Sequence, residues 1–80
     1  MNEADEVERV LARLVAYWRA NLQAADGAEG IRQWWLADAP VSRHALDMAL
    51  QALVDDGRVI AVTAADGRVR YRWTAGMEKE

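Results

Sequence analysis

Val7, Val10, Leu11, Leu14, Val15 and Trp18 recur at spacings of three and four, the period of a helix that buries one stripe and wets the other. The spacing predicts an amphipathic helix over residues 3–20. Asn2 or Asp5 can cap its start, and Glu3, Asp5, Glu6 and Glu8 suit the positive end of its dipole. Arg9, Arg13 and Arg19 fall on its outer face. "NLQAADG", residues 21–27, breaks the pattern. Asp26 followed three residues later by Glu29 has the spacing of a capping box and predicts a second helix over residues 27–38. With Ile31 at the origin of that helix, Ala28, Trp35 and Ala39 share the inward sector and Leu36 lies at its edge. Trp35 is then the core residue of the adjacent pair. Trp34 falls on the flank, where it can wrap over the core against Leu14, Tyr17 or the hairpin, or meet a partner.

Pro40 ends the second helix, because it lacks an amide donor and disfavours helical geometry in Ala39. Ser42 is the next N-cap, with Val41 and Leu46 as a hydrophobic staple. A third helix is predicted over residues 43–56, burying Ala45, Leu46, Ala49, Leu50, Leu53 and Val54, with Gly57 as its left-handed terminator. In "RVIAVTAADGRVRYRW", residues 59–63 form one strand, Asp66-Gly67 signals a turn placed at Ala65 to Gly67, and residues 68–73 form the return strand. Val69, Tyr71 and Trp73 then share one face of that strand, and Arg68, Arg70 and Arg72 the other. Residues 74–80 are expected to fray.

Composition narrows the class. Eighty residues, 52% hydrophobic and 29% charged, suit one small domain spanning residues 1–80. No apolar run approaches the roughly 20 residues of a membrane span. "MNEADEVERV" lacks the basic, then apolar, pattern of a signal peptide. Cysteine is absent, which removes disulfides and thiolate metal sites and makes a reducing cytoplasm the expected location. The net charge is −3, against a general nucleic-acid binder, but it is unevenly spread. Residues 1–39 hold seven acids and four arginines (−3), residues 40–73 four acids and five arginines (+1), and residues 74–80 add −1.

Three helices, a tight turn between the second and third, and a C-terminal hairpin form an order that resembles the winged helix-turn-helix superfamily. The resemblance is carried by "WWLADAPVSRHALDMALQALVDDGRVIAVTAADGRVRYRW", residues 34–73. The segment looks most like MarR-type bacterial regulators, in which a turn ending in Val-Ser, a third helix, "DDGRV" and a basic hairpin follow in order. An α+β fold is implied, three helices followed by a β-hairpin wing, and with it duplex DNA as partner. Arg43, His44, Asp47, Met48 and Gln51 of helix three would enter the major groove, and Arg68, Arg70 and Arg72 would meet phosphates or a minor groove. Two departures stand out. Residues 21–27 lack β-branched residues, so the short first strand usual in the superfamily is expected to be missing, and no long dimerisation helices flank the core.

Other chemistry is hard to build from these residues. The chain holds one His, His44, and one Ser, Ser42. They stand two apart at a helix start, where side chains do not face each other. No catalytic residue, metal site or cofactor is expected: His44, Asp47 and Gln51 make a poor ligand set, and the glycines of "DGAEGI" do not form a phosphate loop. The bland account of the arginines is a solvated helix face and an edge strand shielded by charge. Asp47, Asp55 and Asp56 would repel phosphates along helix three. About 6–10 phosphate contacts serve a good sequence-specific module, too many for one copy, so a homodimer is one candidate state. The rival function is a non-catalytic protein docking or dimerisation module, with Trp34, a large amphipathic side chain on the flank, as its interaction surface.

Overall fold

The structure, a computed structural model, describes residues 3–37 and 41–74. Asn2 as a cap, Ala39 in the inward sector, Pro40 as a terminator and the fraying of residues 75–80 lie outside them. Helix α1, Glu3–Ala20, buries Val10, Leu14 and Trp18, with Val7, Leu11 and Val15 packed partly buried beside them. Helix α3, Arg43–Asp55, turns Ala45, Leu46, Ala49, Leu50 and Leu53 into the same core, while Val54 is only half-buried. The Ser42 hydroxyl caps α3 by accepting from the Ala45 amide at 3.1 Å. A carboxylate of α1 also holds this corner, since Glu6 accepts from the Ser42 amide at 3.1 Å and from its hydroxyl at 3.5 Å. Glu6 therefore anchors the start of α3, a role beyond the dipole of its own helix.

The second helical segment is not the regular helix the spacing predicts. A short turn α2, Ala28–Gly30, runs into a π-helical turn, Ile31–Trp35, closed by the Leu36 amide donating to the Ile31 carbonyl at 3.2 Å. This i to i+5 closure is wider than an α turn. It brings Ile31 and Leu36 into the core together, 0% and 2% exposed, and leaves Trp35 half-buried. The expected order of Trp35 at the centre and Leu36 at the edge is thus reversed. The capping box is absent too: Gly27 is the N-cap and has no side chain with which to cap the helix. Asp26 is held in a strand, and its carboxylate reaches back only to the Gly27 amide, at 2.9 Å. Gly30 makes room for that carboxylate, with which a Cβ would collide.

Strands β1, Ala25–Asp26, β2, Val59–Thr63, and β3, Val69–Trp73, form an antiparallel sheet in the order β1-β3-β2. The expectation of a missing first strand is overturned, because Ala25 pairs with Arg72 and Asp26 with Tyr71. So short a strand rests on the ladder of its neighbour and has little need of intrinsic β preference. A second correction follows from the same order. The arginine-bearing strand is central where β1 pairs with it, at Tyr71 and Arg72, and the full-length edge of the hairpin is β2.

The turn closes with the Gly67 amide on the Ala64 carbonyl at 2.9 Å, and Gly67 takes φ 89°, a conformation that favours glycine. Gly57 does the same after α3, with φ 81°. Thr74, expected in the frayed tail, instead continues the ladder: its amide donates to Arg58 and its hydroxyl to the Gly57 carbonyl. Val59 and Trp73 are buried at the base of the hairpin, Tyr71 is half-buried, and Ala61, Thr63 and Val69 are exposed toward its tip. Trp73 stacks on Trp18 at 5.9 Å, Trp18 meets the edge of Trp35 at 4.9 Å, and Trp35 stacks on Tyr17 at 4.2 Å. This aromatic series runs from the sheet through the core to the outer side of α1.

Candidate nucleic-acid interface

Helix α3 sets Arg43, Asp47, Gln51 and Asp55 on one outward line, because residues four apart in a helix are neighbours. Each donor on that line meets an acid of its own chain. The Arg43 guanidinium donates through Nε to Asp47 Oδ1 at 3.0 Å and through Nη1 to Glu29 Oε1 at 3.2 Å. Gln51 Nε2 donates to Asp55 Oδ1 at 2.9 Å. The hydrogen bond to Asp47, together with the Asp47 charge, holds the Arg43 guanidinium above its ordinary pKa, with Glu29 adding less. His44 and Met48 are exposed beside this line.

The hairpin is built differently. In the register Ile60 lies opposite Arg72 and Val62 opposite Arg70, so the outer face carries arginines beside aliphatic residues. Arg70 and Arg72 are exposed and have no carboxylate within 4 Å among the described residues. Arg68, at the turn, lies 3.7 Å from Asp66, with its side chain 85% exposed. A cleft beside the hairpin is lined by Asp26, Glu29, Arg68 and Arg70 among others, and Glu29 links it to α3 through Arg43. Glu29 pairs with Arg43 and also with Arg32, at 3.4 Å. The spacing that marked Glu29 as a cap residue carries no hint of this contact, which joins residues 14 positions apart. Asp47 and Asp55 could be read directly, four residues after Arg43 and Gln51.

Trp34 projects from the π-helical turn with 72% of its surface exposed, so it does not wrap over the core against Leu14, Tyr17 or the hairpin. The Ser42 hydroxyl is committed to its cap and to Glu6. Among the described residues no group of three or more His, Cys, Asp or Glu side chains could hold a metal ion, and no helix is long and apolar enough to cross a membrane. The chain matches no family model, no curated protein and no solved structure.

Proposed function

We propose that this chain is a cytoplasmic winged helix-turn-helix module that binds duplex DNA without catalysis, with the hairpin as its wing supplying most of the attraction. The observation that carries this reading is the pair Arg70 and Arg72, exposed on the outer face of the central strand with no carboxylate within 4 Å among the described residues. Arg68 continues the row. Helix α3 is the weaker reader. Arg43 suits a guanine edge, Gln51 an adenine edge and Asp47 a cytosine amine, but Arg43 and Gln51 must leave Asp47, Glu29 and Asp55 before touching a base. The module then binds duplexes with modest sequence discrimination and a steep response to salt.

Anisotropy of labelled duplexes of pooled sequence, titrated at about 50 and about 200 mM salt, tests this. Binding at the lower salt that weakens at the higher supports it. No binding at the lower salt overturns it.

A second reading, protein docking, draws on Trp34. A tryptophan 72% exposed beside the buried Ile31 and Leu36 is an unusual expense of apolar surface, and such residues anchor interfaces. A protein that binds no duplex, yet loses mass in sedimentation on Trp34→Ala while keeping its melting curve, would favour this reading.

A further inference from the structure

The hydrogen-bond ladder of the hairpin leaves one long edge open. The Thr74 amide donates to Arg58 at 2.9 Å and the Ala64 amide to Arg68 at 2.7 Å, bracketing the pairing of β2 with β3. In an antiparallel pair, hydrogen-bonded and non-hydrogen-bonded sites alternate. Arg58, Ile60, Val62 and Ala64 therefore direct their backbone groups to β3, and Val59, Ala61 and Thr63 direct theirs away from it. With the order β1-β3-β2, that side of β2 meets no strand among the described residues.

Edge strands of monomers usually carry a lysine, a proline or a bulge that blocks a further strand. Val59-Ile60-Ala61-Val62-Thr63 has no charge and no proline, and its register with β3 is unbroken. Ile60 and Val62 are 38% and 44% exposed on the outer face.

We propose that the open edge of β2 pairs with β2 of a second copy of this chain. The strands run antiparallel about a two-fold axis at Ala61 and join the two sheets into one. The backbone pattern selects this register. Ala61 meets Ala61 of the second copy at a hydrogen-bonded site, where the small side chain sets no obstacle. Ile60 falls opposite Val62 of the second copy at a non-hydrogen-bonded site, where side chains approach most closely. Each exposed aliphatic residue thus gains an apolar neighbour, which favours the chain's own strand over a polar one.

Charge does not oppose the pairing. The two β3 rows lie three strand spacings apart, about 14 Å, beyond the screening length of about 8 Å at physiological salt. Arg70 and Arg72 of both copies then share one sheet face, nearer to the phosphate contacts that a duplex binder needs. The pairing itself does not depend on the DNA-binding reading; only that gain in arginines does. A five-residue strand pair buries less than the roughly 1,200 Å² of a stable interface, so the dimer forms in a concentration-dependent way.

Sedimentation velocity of the protein without DNA, from about 10 μM to about 1 mM, spans the affinities of small interfaces. The mass should rise from the 9.0 kDa chain toward twice that value. Ala61→Pro removes an amide that faces only the open edge, a position where proline is tolerated. It should hold the mass at the monomer value while circular dichroism and melting stay native. If Ala61→Pro disturbs the fold, Ala61→Lys decides, since two lysines would face each other across the axis. A wild type that stays monomeric at the highest concentration overturns the proposal, as does a folded Ala61 variant that still dimerises or growth past the dimer. A monomer that nevertheless binds duplex would overturn the dimer and leave the DNA-binding reading standing.

Discussion

The outer face of α3 and the outer face of the hairpin both present arginine to solvent, yet they differ in what surrounds it. On the helix, the neighbours four residues away from Arg43 and Gln51 are Asp47 and Asp55, and both donors are engaged. On the hairpin, the residues opposite Arg70 and Arg72 are Val62 and Ile60, whose side chains cannot accept a hydrogen bond. Similar side chains thus become self-neutralised on one element and available on the other. Counting arginines overstates the helix; their nearest neighbours decide which are free to meet an anion.

The largest expected effect removes the anchor that holds the hairpin to the core. Trp73, 3% exposed and stacked on Trp18, should cost about 3–5 kcal/mol on Trp73→Ala, comparable to the whole stability of a small domain. Leu50→Ala, on the inner side of α3, should cost about 2–5 kcal/mol. Denaturant midpoints measure both, and a mild loss at Trp73 would mean that the hairpin stands without the core.

Next comes the charge on the hairpin. Replacing Arg68, Arg70 and Arg72 together by alanine should weaken binding to every duplex and flatten the salt slope by up to about 2.7, about 0.9 per phosphate contact. That slope corresponds to roughly a fortyfold change in affinity between about 50 and about 200 mM salt. An equal loss from Arg43→Ala alone would erase the contrast between the two faces.

A smaller effect sharpens it. Asp47→Asn should loosen Arg43 and strengthen duplex binding by at most about fivefold, the scale of an exposed ion pair. Weaker binding would show that Asp47 contacts a base. The smallest effect belongs to Gln51→Ala, which should shift stability by no more than about 0.5 kcal/mol although its side chain is hydrogen-bonded, because the pair with Asp55 is fully at the surface. A loss as large as that of Leu50→Ala would mean that the buried stripe of α3 is misplaced.

Where periodicity and punctuation agree, sequence alone determined the structure. The stripe of α1, the Ser42 cap, the inner face of α3, the Asp66-Gly67 turn and the alternation of β3 follow from spacing and local chemistry, and each is seen. The i to i+4 pairs that engage Arg43 and Gln51 are equally local. Tertiary structure decided the rest. The second helix carries a helical pattern, yet placing Ile31 and Leu36 together against α1 and α3 widens it into a π turn and moves Trp35 outward. β1 exists because β3 offers it a ladder, and that same pairing makes the arginine strand central and leaves β2 as the edge. Glu6 reaches Ser42, and Glu29 reaches Arg43, across 36 and 14 residues. Such contacts have no period in the chain. They arise only when packing brings distant segments together, which is why the anchor of α3 and the neutralisation of its first arginine by Glu29 belong to the fold and not to any local stretch of sequence.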